Sequence, residues 1–180
     1  MSDSSDSFIY DLPVRMRRLR NRPRVRAMLQ ETHLRPEHLI APLFVKEGLP
    51  APEPVDSMPG VFRLSIKDIV EECRKLLDVG VQAVALFPCN PQEIKDPFGS
   101  GALDPSGLAP RTVQAIKKDV PEMTVITDVA LDPYTNHGHD GILIDGYVDN
   151  DKTLDHLVKQ SLALAESGAD IIAPSDMMDG

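Results

Sequence analysis

The chain has 180 residues, 42% of them hydrophobic and 26% charged, with a formal net charge of -9. That size fits one domain of roughly 100 to 200 residues, and no apolar run approaches the roughly 18 to 20 residues that a membrane-spanning helix needs. The opening residues Met1 to Phe8 are too polar and acidic for a signal or transit peptide, and Cys73 and Cys89 have neither CxxC spacing nor histidine neighbours. A cytoplasmic protein with free thiols is expected, without a disulfide framework or a Cys-rich zinc site.

Charge is unevenly placed. Arg15, Arg17, Arg18, Arg20, Arg22, Arg24 and Arg26 are seven of the 19 basic residues, whereas all 28 acidic residues lie outside this stretch. Residues 1–38 therefore read as an extended basic N-terminal arm. A basic arm can neutralise phosphates, but no zinc-finger spacing or RNA-binding aromatic motif accompanies this one, so no nucleic-acid partner is assigned. The alternatives are a solvated arm and, because the rest of the chain is acidic, an arm packed on a second copy in a homo-oligomer.

Residues 39–180 alternate helix and strand. Leu39–Val45 reads as a strand, irregular at Pro42, and residues 46–60, rich in proline and glycine, read as a loop unable to sustain pairing. Ser65 to Asp68 resembles a capping box, and Ile66, Ile69, Val70, Cys73, Leu76 and Leu77 then fall on one helical face that Gly80 ends. Val81–Phe87 follows as a buried strand. The order recurs with Val113, Ile116 and Val120 on a helix stopped by Pro121, then the strand Met123–Leu131. It recurs again with Leu154, Leu157, Val158, Leu162 and Ala165 on a helix ending at Gly168, then the strand Asp170–Ser175. Such alternation predicts an α/β fold with right-handed crossovers and a parallel sheet, and no GxGxxG supports a dinucleotide fold. Four strands and three intervening helices make about half of a (β/α)8 barrel, whose usual length is roughly 250 residues, so the expected fold is the N-terminal half of such a barrel, stopping mid-fold.

The chemistry concentrates where strands end. Asp128-Val-Ala-Leu-Asp-Pro-Tyr-Thr-Asn-His-Gly-His-Asp-Gly141 begins inside a strand, where the carboxylate of Asp128 is costly unless it is paired, hydrogen-bonded or bound to a cation. Asp132, His137, His139 and Asp140 can supply metal ligands, or serve as local hydrogen-bonding groups in a turn-rich loop. Asp145, Asp149, Asn150 and Asp151 precede a helix and suit capping. Ser175 and Asp176 close the last strand and can face a substrate, although no GxSxG elbow marks Ser175 as a nucleophile. Lys46 can in principle form a Schiff base; a solvated lysine beside Glu47 is the plainer reading.

That stretch and Ala173-Pro-Ser-Asp-Met-Met-Asp-Gly180 resemble the two signature segments of the porphobilinogen synthase (5-aminolevulinate dehydratase) family, in the family's order. Arg17 to Arg20, Leu43 to Val45, Ser57 to Gly60, Ala85 to Pro88 and Lys159-Gln160 extend the resemblance, while Gly101 to Asp104 departs from the family's usual Glu-Ala-Tyr-Asn. The resemblance implies an aldolase-type TIM barrel, a hydro-lyase that condenses two 5-aminolevulinate molecules into porphobilinogen with loss of two waters, using Schiff-base lysines downstream of residue 180. The segment alone is then expected to be inactive. Asp128 and Ser175 match active-site positions with supporting catalytic roles. Zinc-dependent members carry three cysteines where this chain has Ala130, Asp132 and Asp140, so zinc is not expected; the replacement points to Mg²⁺ at Asp132 and Asp140 or to no metal at this position, and no organic cofactor is implied. The family's arm embraces a neighbouring subunit. Two rival readings stand beside this one: a Mg²⁺-dependent barrel aldolase or hydrolase using Asp128, Asp132 and Asp140, and a non-catalytic oligomerising fragment that works through its arginine arm.

Overall fold

The computed structural model describes residues 12–180, in two units, one ending at Leu34 and the other running from Arg35 to Gly180. In the first, Met16–Arg20 forms a 3₁₀ turn and Pro23–Met28 a short helix, α1, with proline at its start, where a missing amide hydrogen costs nothing.

The second unit carries β1 (Ile40–Val45), β2 (Glu53–Pro54), β3 (Phe62–Leu64), α2 (Ile66–Asp78), β4 (Ala83–Pro88), α3 (Leu108–Asp119), β5 (Thr124–Val129), β6 (Leu143–Ile144), β7 (Tyr147–Val148), α4 (Asn150–Glu166) and β8 (Ile171–Pro174). The main sheet runs β2-β3-β1-β4-β5-β8, and β1, β4, β5 and β8 are parallel neighbours. Each helix thus returns the chain to the adjacent strand in one direction of travel, and right-handed crossovers then place α2, α3 and α4 on one side of the sheet. The packing agrees: Leu43, Val45, Val84, Leu86 and Val125 pack with Ile69, Val70 and Cys73 of α2 and Val113 and Ile116 of α3, and Val129 packs with Leu157 and Leu164 of α4. A doubly wound sheet would reverse its strand order and put helices on both faces. This is the winding of a barrel wall.

Strand alternation aims Phe44, Phe87, Ile126 and Asp128 at the face away from the helices. The paired Phe44 and Phe87 stack there with ring centroids 5.5 Å apart.

Three local readings of the sequence are corrected. Residues 46–60 do sustain some pairing: Glu53 and Pro54 pair antiparallel with Arg63 and Phe62, Pro54 being tolerated because it lies on the sheet edge. The Asp145-Gly146 pair, with φ of 51° and 82°, turns an unanticipated hairpin between β6 and β7. On α4 the buried face is Thr153, Leu157, Gln160 and Leu164, whereas Val158 and Leu162 are 57% and 58% exposed. Apolar residues on two sides of α4 hid a buried stripe that includes polar groups satisfied locally, such as Thr153 Oγ1 donating to Asp149 O at 2.6 Å. Other punctuation is as read: Ser65 caps α2 by accepting from Asp68 N, Asp149 caps α4 by accepting from Lys152 N, and Gly80 and Gly168 follow their helices with φ of 88° and 104°.

Candidate active site

The candidate site lies beyond the carboxyl ends of β5 and β8. Asp128 pairs in register with Ala173, so Ser175, two residues further along, emerges on the same face of the sheet. Its hydroxyl donates to Asp128 Oδ1 at 2.6 Å. The cost foreseen for a carboxylate inside the strand is met by this hydrogen bond and by incomplete burial.

Around this pair sit three more carboxyl groups. Asp176 Oδ2 accepts from Leu131 N at 3.2 Å; burial, followed by the charges of Asp140, Asp132 and Asp128, lifts its pKa to about 6. A carboxyl group in that range exchanges its proton near neutrality, which suits acid–base work. Burial, reinforced by Asp140 and Asp128, also raises the pKa of Asp132, and the charge of Lys95 opposes that rise. Asp140 is exposed. The mouth is therefore strongly anionic, with Lys95 the cation that acts on Asp132, and it favours a positively charged guest.

The loop carrying Asp132 and Asp140 is tied to the loop between β4 and α3. Asn90 Nδ2 donates to Pro133 O at 3.2 Å, Gln92 Nε2 to Asn136 O at 2.8 Å and Lys95 Nζ to Asp132 O at 3.3 Å. Asp96 N donates to Tyr134 O at 3.2 Å, and Asn136 N to Asp96 O at 3.1 Å. His137 Nδ1 accepts from His139 N at 3.1 Å, which leaves Nε2 as the protonated nitrogen, 3.2 Å from Pro97 O. Both histidines thus take part in local loop bonding, their rings 5.5 Å apart.

Of the residues read from the sequence, Asp128 and Ser175 come together, and Asp132, Asp140 and Asp176 lie close enough for their charges to couple. Among the described residues, no three His, Cys, Asp or Glu side chains converge as a metal centre would require. Lys46 lies apart, in an ion pair with Glu53 at 2.7 Å that Arg63 completes at 2.9 Å. Sequence reasoning missed Asn90, Gln92 and Lys95, and gave Gln160 no role beyond its share in the resemblance. Gln160 alone carried a signal, a polar residue three positions after Leu157 and four before Leu164.

The model of the delta-aminolevulinic acid dehydratase family matches residues 13–180. Delta-aminolevulinic acid dehydratase of Bradyrhizobium diazoefficiens is 47% identical over 170 residues, covering 94% of this chain and 48% of that protein; the chloroplastic enzyme of Glycine max is 46% identical over 173 residues, covering 94% and 42%. The crystal structure of delta-aminolevulinic acid dehydratase (porphobilinogen synthase) from Toxoplasma gondii, in complex with the reaction product porphobilinogen, superposes with a TM-score of 0.91 at 41% identity, covering 94% of this chain and 49% of that one. The chain spans about half the length of the relatives it matches.

Proposed function

The chain belongs to the delta-aminolevulinic acid dehydratase family, and from that premise we propose that the complete protein is a porphobilinogen synthase, condensing two 5-aminolevulinate molecules into porphobilinogen with loss of two waters. The observation that carries the reading is the hydrogen bond of 2.6 Å joining Ser175 to Asp128, which brings the two signature segments to one point on the face away from the helices. A Schiff base between a substrate ketone and a lysine acts as an electron sink when protonated. The lysines that would form it are those the family places downstream of the second signature. In this chain the carboxylate of Asp128 stabilises positive charge on such an iminium or on the substrate ammonium, Ser175 fixes the orientation of that carboxylate, and Asp176 is suited to move protons near neutral pH.

Asp132 and Asp140 offer hard oxygen donors, and no thiol stands with them: Cys73 is buried in the core, and the charged neighbours of Cys89 are Arg63, Lys46 and Glu53. That donor set favours Mg²⁺ over zinc. Two carboxylates alone do not complete a divalent-ion site. A homo-oligomer built through the arginine-rich arm belongs to the same proposal, supported by the opposite charges of arm and remainder. So does a cytoplasmic location, supported by two free thiols.

The test is to express the complete reading frame and supply 5-aminolevulinate with Mg²⁺, in the presence of a zinc-selective chelator. Porphobilinogen is expected to form. Well-folded protein that yields none would refute the reading, and formation only after zinc is added would refute the metal preference.

A further inference from the structure

The β5 ladder ends at Val129, yet the chain stays covered for two more residues, with Ala130 4% and Leu131 0% exposed. Buried main-chain groups beyond a ladder must find other partners or bear the full cost of their desolvation. Here Leu131 O accepts from Tyr134 N and Thr135 N, both at 2.9 Å, and side chains from three separate elements hold other main-chain groups of the arc. Gln160 Nε2, on α4, donates to Ala130 O at 3.1 Å; Asp176 Oδ2, beyond β8, accepts from Leu131 N at 3.2 Å; and Lys95 Nζ, from the loop after β4, donates to Asp132 O at 3.3 Å. Gln160 is 2% exposed, and its Oε1 has no hydrogen-bond partner among the described residues. A leucine would fill the same space without that cost, so the compensating gain lies in the carbonyl that Nε2 holds.

We propose that Lys95 and Gln160 are positioning residues which, together with the Asp176 carboxylate, form a three-point clamp that fixes the Ala130–Asp132 arc where it leaves the strand of Asp128 and thereby sets Asp132 against the bound substrate. The proposal rests on the porphobilinogen synthase reading for the identity of that substrate, whereas the clamp itself is independent of it. For Lys95 and Gln160 the geometry separates the two tasks: neither contact uses a carboxylate of the site, so loosening the arc through them leaves the reacting groups present but misplaced. A misplacement of about 1 Å can lower turnover by up to about a hundredfold.

The experiment uses the complete protein, substrate-free, in five forms: wild type, Lys95→Met, Lys95→Arg, Gln160→Leu and the Lys95→Met/Gln160→Leu pair. Amide hydrogen exchange is expected to quicken at least about tenfold in peptides covering residues 130–136 of Lys95→Met and of Gln160→Leu, with α2 peptides unchanged. The turnover number for porphobilinogen is expected to fall about tenfold in each of the two, with KM within about threefold of wild type; Lys95→Arg restores it to within about threefold. The pair should lose less than the product of the single losses, because both contacts act on one arc. Unchanged exchange across 130–136 in both single variants overturns the clamp, and faster exchange with wild-type turnover reduces it to a structural support. Lys95 lies on a surface loop, so its variants keep the test decisive even if Gln160→Leu folds poorly. Should wild-type protein form no porphobilinogen, the function reading falls, and the exchange results still decide the clamp.

Discussion

Replacing Asp128 by asparagine in the complete protein is expected to lower the turnover number for porphobilinogen by about a hundred- to a thousandfold while leaving the fold intact. Asparagine keeps the shape of the side chain and an oxygen that accepts the Ser175 hydroxyl, which now donates at 2.6 Å, so the change removes charge and little else. A fixed charge aimed at charge developing in a reaction is worth about 2.7 to 4 kcal/mol in a water-poor site. Ser175→Ala should cost less, since the carboxylate remains and only its orientation loosens. Steady-state kinetics on both variants, with circular dichroism as the control for folding, provide the measurement. Asp128→Asn within about threefold of wild type would mean that the carboxylate is scaffolding.

The second large effect concerns the 180 residues expressed alone. β8 ends the sheet on one side, and Ile40, Phe62, Ile171 and Met177 are 54%, 44%, 47% and 94% exposed. An unpaired strand edge next to apolar surface recruits other chains. Expressed by itself, the segment should associate at micromolar concentration and show no porphobilinogen formation. Light scattering across a dilution series checks this. A monomer of 180 residues with a sharp cooperative melt would contradict it.

The sequence announced the wall of the barrel because each element is marked by its own periodicity and punctuation. Ser65, Gly80, Asp149 and Gly168 are local signals that tertiary packing did not override. The face of α4 was not legible from apolar spacing: Val158 and Leu162 compete with a stripe whose burial is decided by what lies beneath it, the end of β5. Likewise Asp128 and Ser175 could be picked out as strand-end polar residues, but their contact depends on the register Asp128 to Ala173, which no local pattern encodes. Lys95 and Gln92 were invisible for the same reason, as residues of one loop whose partners are main-chain carbonyls of another. Side-chain chemistry at a strand end can be read from sequence, whereas the groups that hold it in place come from elements distant along the chain.

The most direct test is a crystal structure of the complete protein with porphobilinogen bound. A carboxylate oxygen of Asp128 and the hydroxyl of Ser175 should both lie within hydrogen-bonding reach of the ligand, about 2.6 to 3.2 Å. A ligand bound with both side chains turned away from it would contradict the account.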